Sequence, residues 1–123
     1  MDKKKVLLVD DELIILEIMQ KRITSWGYEV MTAASGKEAI SIIKAEKPDI
    51  VILDYIMPEM DGIATLEEIR KTSSKLPVVI FTGYYPDEKA LEGARKLGVS
   101  AFLPKLDAYS DTKITLKNTL GTL

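Results

Sequence analysis

Three short stretches of the chain are apolar at every position: Val6-Leu7-Leu8-Val9, Ile50-Val51-Ile52-Leu53 and Val78-Val79-Ile80-Phe81. Because polar residues do not alternate with the apolar ones, both faces of each stretch must be covered, as in the inner strands of a parallel sheet. Residues 28–32 and 101–103 read as two weaker strands, which makes five. Helical spacing fills the intervals. Leu16, Met19, Ile23 and Trp26 recur at steps of three and four, and Gly27 is placed to end that helix in a left-handed turn. Ser35-Gly36-Lys37-Glu38 has the spacing of a capping box and predicts a second helix, with Ala39, Ile40 and Ile43 inward and an end before Pro48. Ile63, Leu66 and Ile69 mark a third. A fourth is expected to open at Pro86, turn Ala90, Ala94 and Leu97 inward and stop at Gly98. Gly93 within it lowers its stability by up to ~1 kcal/mol relative to alanine. The weakest pattern is the fifth, over 107–123, where four threonines and Gly121 leave only Leu116, Leu120 and Leu123 as a stripe.

Strands alternating with helices through short connections imply right-handed crossovers and a three-layer α/β/α sandwich around a five-stranded parallel sheet. The connections show neither a linker nor a repeat, so residues 1–123 are expected to form one domain. Composition narrows the chemistry sharply. The chain has no cysteine and no histidine, which excludes disulfides, thiol nucleophiles, imidazole bases, Ser-His-Asp triads and thiolate or imidazole metal sites within it. Seventeen basic against nineteen acidic residues leave a net charge of -2 and argue against direct nucleic-acid binding by this domain. Lys3 to Lys5, the only basic run, reads as a solvated approach to the first strand. No apolar run reaches the ~20 residues of a membrane span and no signal-peptide core opens the chain, so no membrane contact and a cytoplasmic location are expected.

An open parallel sheet collects its ligand site at the carboxyl ends of its strands. The first strand runs into Asp10-Asp11, the third into Asp54, the fourth into Thr82-Gly83, and the fifth leads to Lys105. Any one of these reads equally well as a loop polar group or a helix cap. Three carboxylates gathered at one edge, however, destabilise the fold unless a positive charge sits between them. With oxygen donors only, a hard divalent cation such as Mg²⁺ fits, and it also binds phosphate oxygens. Lys105 adds a second positive charge facing the same place. Asp54, alone after a wholly apolar strand at the middle of the sheet, is the best-placed acceptor for a phosphoryl group, which its carboxylate would hold as an acyl phosphate.

Asp10-Asp11, Asp54 followed by Met57-Pro58 and Asp61-Gly62, Thr82-Gly83, and Ala101-Phe102-Leu103-Pro104-Lys105 together resemble the receiver domain of bacterial two-component response regulators, the CheY-like superfamily. The likeness runs from about Lys5 to Lys105. It implies the flavodoxin-like strand order 2-1-3-4-5, and transfer of a phosphoryl group to Asp54 from the phosphohistidine of a sensor histidine kinase or phosphotransfer protein. It further implies that Asp11, Asp54 and the backbone carbonyl of Ile56 bind Mg²⁺, with Asp10 acting largely through water, and that Thr82 and Lys105 contact the phosphoryl oxygens. Phe102 matches the aromatic switch position: Thr82 moves toward the phosphoryl group and the ring enters the vacated space. Spacing alone reads Phe102 as an ordinary half-buried strand aromatic.

Three departures from the family pattern stand out. Leu106 replaces the usual proline after Lys105, which disfavours a cis bond there by ~2.5–4 kcal/mol and so bears on how that lysine is oriented. The threonine-rich last segment bears on any phosphorylation-dependent homodimer. Ile56 and Tyr84, two residues past Asp54 and Thr82, offer no carboxylate or amide to orient water, so slow self-hydrolysis of the acyl phosphate is expected.

The chain is expected not to be an enzyme toward external substrates, catalysing only its own phosphorylation and dephosphorylation. An aspartate-based phosphohydrolase is an alternative, but Ile56 stands where such enzymes place a second aspartate, and no cap segment encloses a substrate. Nor does Gly36-Lys37 make a P-loop. A phosphorylation-independent interaction module is the other alternative, with the complete acid set against it. Nothing after Lys105 resembles a DNA-binding or catalytic output domain; a downstream protein target or a fused output domain are both compatible with the sequence.

Overall fold

The computed structural model describes residues 3–83, 87–104 and 110–123, with side chains described at 3–83, 87–103 and 115–123. Among the described residues, strands β1 (Lys5–Val9), β2 (Glu29–Ala33), β3 (Ile50–Leu53), β4 (Val78–Thr82) and β5 (Ala101–Pro104) alternate with helices α1 (Leu13–Ser25), α2 (Gly36–Glu46), α3 (Gly62–Thr72), α4 (Glu88–Lys96) and α5 (Ser110–Gly121). All strand pairs are parallel and the sheet order is β2-β1-β3-β4-β5, as the resemblance implies. The wholly apolar stretches are the three inner strands. Those that read weakly from sequence, β2 and β5, are the edges, where one side lacks a partner strand and polar residues such as Glu29 and Thr32 are tolerated.

Each inner strand feeds two cores because successive side chains point to opposite faces. Leu7, Val9, Leu53 and Ile80 pack under α2, α3 and α4 with Ala39, Ile43, Leu66 and Ala94. On the other face Val6, Leu8, Ile52 and Phe81 meet Leu16, Met19 and Ile23 of α1 and Leu116 and Leu120 of α5. The leucine stripe of the threonine-rich segment is thus sufficient to seat α5, with Leu116 and Leu120 fully buried.

Local signals explain the helix ends. Gly27 and Gly98 take the left-handed conformation, at φ 100° and 71°. Ser35 accepts a hydrogen bond from the Glu38 N–H at 3.1 Å, but Glu38 Oε2 reaches the N–H of Ala34 rather than that of Ser35, so the capping box closes one residue early. The start of α4 also departs from expectation. The helix begins at Glu88, with Asp87 as its N-cap accepting from the Ala90 N–H at 2.8 Å, rather than opening at Pro86. A carboxylate that satisfies an otherwise orphaned helix N–H decides the boundary over proline's preference for a first helical position. Pro86 itself lies outside the described residues.

Candidate functional site

The parallel register builds the site. Val9 pairs with Leu53, so Asp10 and Asp54 are the next residues of adjacent strands. Their backbones extend the ladder past the last pair: the Asp54 N–H donates to Val9 O at 3.0 Å, and the Asp10 N–H to Ala33 O at 3.1 Å. Both carboxylates are therefore carried on fixed backbone at the centre of the carboxyl edge. Asp10 is 2% exposed and Asp54 6%, whereas Asp11 is open to solvent. Asp10 Oδ1 also accepts from the Glu12 N–H at 3.0 Å, a turn that swings the chain into α1.

One carboxylate oxygen from each of Asp10, Asp11 and Asp54 lies within 4.8 Å of the others. Among the described residues this is the one group of three or more acidic, histidine or cysteine side chains so gathered. Two of the three are buried, and like charges at that separation repel by ~1 kcal/mol per pair in water and ~4 kcal/mol at an effective dielectric near 20. A hard, oxygen-seeking divalent cation is the ligand such a set accommodates.

Thr82 ends β4 and is 1% exposed. Ile80 pairs with Phe102 of β5; two residues further along β4, Thr82 lies on the same sheet face as Phe102, which packs half-buried against the α2–α3–α4 core. Ile56 is 46% exposed beside the acids. Lys105 and Tyr84 lie outside the described residues, and so does the Lys105–Leu106 bond.

Two features of the β3–α3 loop carry meaning that spacing did not reveal. Asp61 is the N-cap of α3, accepting from the Ala64 N–H at 2.8 Å. Gly62 donates its N–H to Tyr55 O at 2.8 Å, and a Cβ there would meet Asp54 O at 2.5 Å and Tyr55 Cα at 2.8 Å. The Asp-Gly pair therefore clamps the start of α3 onto the backbone of the residue that would be phosphorylated. Tyr55 was also missed. Its ring meets that of Phe102 edge-on, with centroids 6.1 Å apart and planes at 61°. Burial first, and then the charges of Asp61 and Asp87, raise its phenol pKa above the ordinary value, so the ring stays neutral. No helix among the described residues is long and apolar enough to cross a membrane.

Comparison with known proteins agrees with this geometry. The profile of the response regulator receiver domain family matches residues 6–113. The transcriptional regulatory protein ZraR of Escherichia coli K12 is 38% identical over 120 residues, covering 98% of this chain and 27% of that protein. The probable transcriptional regulator ycf27 of Porphyridium aerugineum is 34% identical over 120 residues, covering 98% of this chain and 49% of its own length. The chain thus spans between about a quarter and a half of these relatives. Among solved structures, the chemotaxis protein CheY4 of Vibrio cholerae superposes with a TM-score of 0.87 at 27% identity, covering 99% of this chain and all of that one. A receiver domain from Clostridium thermocellum gives 0.82 at 32% identity, with 97% and 95% covered. With a family match across most of its length and a sheet of the same order, the chain belongs to the response regulator receiver domain family.

Proposed function

We propose that Asp54 is the phosphoacceptor: the P–N bond of a partner's phosphohistidine breaks as a P–O bond forms to an Asp54 carboxylate oxygen, and the ring leaves as neutral imidazole, its proton already on the other ring nitrogen or taken up from solvent as the bond breaks. The single observation that supports this most is the convergence of Asp10, Asp11 and Asp54 within 4.8 Å at the carboxyl edge of the sheet. Asp11, Asp54 and the carbonyl of Ile56 would hold Mg²⁺, with Asp10 contributing through water; the ion supplies charge neutralisation for the incoming phosphoryl oxygens. The chain's own residues do the rest. The fixed Asp54 backbone positions the nucleophile, and the Thr82 hydroxyl and Lys105 receive the remaining phosphoryl oxygens. The reaction ends on the protein, so no external substrate is turned over.

A partner must approach along this rim, where large apolar side chains stand exposed beside the acids. Leu13 (70% exposed), Ile14 (72%), Ile18 and Ile56 are the large hydrophobic side chains exposed among the described residues. Leu13 follows Asp11 by two residues and Ile56 follows Asp54 by two, so the acid pocket is bordered by surface that an apolar helical partner carrying the phosphohistidine can cover. A sensor kinase or phosphotransfer protein in the cytoplasm fits that description. Exchange between Thr82 and Phe102 would then alter the α4–β5–α5 surface read by a downstream target, a fused output domain or a second copy.

The test is incubation with a small acyl-phosphate donor, with and without Mg²⁺, read by intact mass. We expect a Mg²⁺-dependent phosphoryl adduct in the parent chain and none in Asp54→Ala. A parent chain that takes up no phosphoryl group overturns the reading in favour of a phosphorylation-independent binding module.

A further inference from the structure

We propose that Gly36, at the first position of α2, is a positioning residue of the acid cluster: by leaving room for Thr65 and Met60 it lets the β2–α2 turn set the β3–α3 loop behind Asp54, and so tunes the affinity for Mg²⁺. The inference rests on the reading of Asp10, Asp11 and Asp54 as the cation site. Gly36 is buried and is not in the left-handed region, so a glycine stands there for space rather than for backbone freedom. A Cβ at this position would fall 2.2 Å from Thr65 Oγ1, 3.0 Å from Met60 Sδ and 3.2 Å from Met60 Cγ. The amino end of α2 is thus pressed against the first turn of α3 and against the loop that leads there from Asp54.

The turn that carries Gly36 also reaches the other side of the cluster. Three residues earlier, Ala33 O accepts the N–H of Asp10 at 3.1 Å. Between the two the turn is closed on itself, since Ser35 Oγ accepts the Glu38 N–H and Glu38 Oε2 accepts the Ala34 N–H. One short, internally bonded segment therefore fixes the Asp10 backbone with one end and abuts the Asp54 loop with the other. The first turn of α3 has little freedom to yield. Thr65 is fully buried and its hydroxyl donates to Asp61 O at 2.8 Å, and a β-branched side chain in a helix has few other rotamers. The same turn is held three residues earlier, where Gly62 lies against Asp54 O and Tyr55 Cα and donates its N–H to Tyr55 O. Met60 is a flexible chain that can move aside; Thr65 is not. A methyl group at position 36 must therefore part α2 from α3 or displace the first turn of α3. Either way it disturbs the backbone that carries the Asp54 carboxylate and the Ile56 carbonyl.

The measurement is Mg²⁺ affinity, read by titrating the amide resonances of Asp10, Asp11 and Asp54, with unfolding stability measured separately in metal-free buffer. Gly36→Ala should bind Mg²⁺ about three- to tenfold more weakly, less than the ~10–100-fold typical of losing a direct partner of a ligand. A merely structural role would lower stability and leave the affinity of the folded chain where it was. The severe clash is with one oxygen, and no other Thr65 atom lies within 3.2 Å of the added Cβ. Thr65→Ala should therefore bring the affinity of Gly36→Ala back to within about twofold of the parent. Gly93→Ala is the control, since its added Cβ meets nothing within 4 Å, and its affinity should not change. An unchanged affinity in Gly36→Ala, a loss that Thr65→Ala does not relieve, or an equal loss in Gly93→Ala overturns the proposal. If Gly36→Ala does not fold, the parent chain answers by linkage, because a contact that favours the cation-binding arrangement is itself strengthened when the cation binds. Mg²⁺ should slow hydrogen exchange at the Thr65 and Ala39 amides, which close the first turns of α3 and α2 on Asp61 O and Ser35 O. Slowing confined to the Asp10 and Asp54 amides overturns the proposal. A parent chain that takes up no Mg²⁺ at all removes the cation reading, and this inference with it.

Discussion

At the amino end of the sheet, Arg70 spreads its guanidinium over four backbone carbonyls: Nε donates to Leu97 O at 2.6 Å, Nη1 to Ser73 O and Leu76 O at 2.9 and 2.8 Å, and Nη2 to Gly98 O at 3.1 Å. At the carboxyl end, three carboxylates crowd within 4.8 Å. The first arrangement places one positive charge among the carbonyl ends of α3 and α4, where helix dipoles favour it. Partial burial lowers the guanidinium pKa from its ordinary value, yet an arginine remains charged and its planar fork matches the carbonyls. Nearby, Lys5 and Asp49 close the end of β1 against β3 through two 2.8 Å bonds, Lys5 N–H to Asp49 Oδ2 and Asp49 N–H to Lys5 O. The second arrangement gathers like charges that repel. The same parallel sheet thus has an end that contributes stability and an end that gives some of it up to gather three carboxylates.

The largest effect should come from the stabilising end. Arg70→Met leaves four carbonyls without a charged donor and is expected to cost about 2–4 kcal/mol in denaturant unfolding. The extent of Asp54 phosphorylation at saturating donor should not change, because no carbonyl that Arg70 holds belongs to the carboxyl edge. If phosphorylation falls with stability, the two ends are not separable in the way their contacts imply.

Gly62→Ala sharpens the comparison, since this position belongs to both. Its added Cβ would press on Asp54 O and Tyr55 Cα, and relief requires the start of α3 or the Asp54 backbone to shift. We expect a loss of about 1–3 kcal/mol, the usual range for overpacking, together with slower phosphorylation of Asp54 by the small donor. A variant that lost stability but phosphorylated at the parent rate would place the adjustment in α3 alone.

The inner strands, the alternation of strands with helices and the acid residues were legible because each is written locally: a short, β-branched, unbroken apolar run fits a covered strand, and a charge just after one falls at the sheet's carboxyl edge; the strand order came only with the family resemblance. What escaped has a different character. Arg70 looks in sequence like any basic residue near a helix end; its role depends on Leu97 and Gly98, more than two dozen positions away. Tyr55 next to Asp54 reads as one aromatic among several until the fold brings its ring against that of Phe102, two strands away. Gly62 was visible only as half of a family motif, and its physical reason, a backbone approach too close for any side chain, exists only once α3 has folded back on β3. The start of α4 was misplaced because Pro86 and Asp87 both carry helix-opening signals, and local sequence does not rank them.

The smallest effect concerns Ile56, which has no burden in the fold and stands at the rim of the acids, 46% exposed. Loss of the phosphoryl group requires a water in line behind phosphorus, and an isoleucine can neither orient one nor leave it much room. Ile56→Asn supplies an amide that can do both. The lifetime of the Asp54 acyl phosphate should shorten several-fold, an amount below the ~1.4 kcal/mol that a tenfold change in rate represents, while unfolding stability stays within ~0.5 kcal/mol of the parent, as expected of a surface substitution. The measurement is decay of the phosphoryl adduct by intact mass after the donor is removed. A lifetime equal to the parent's would mean that access of water is governed elsewhere on the rim, whereas a shortened lifetime with unchanged stability would show that the carboxyl end can be retuned chemically without disturbing the rest of the sheet.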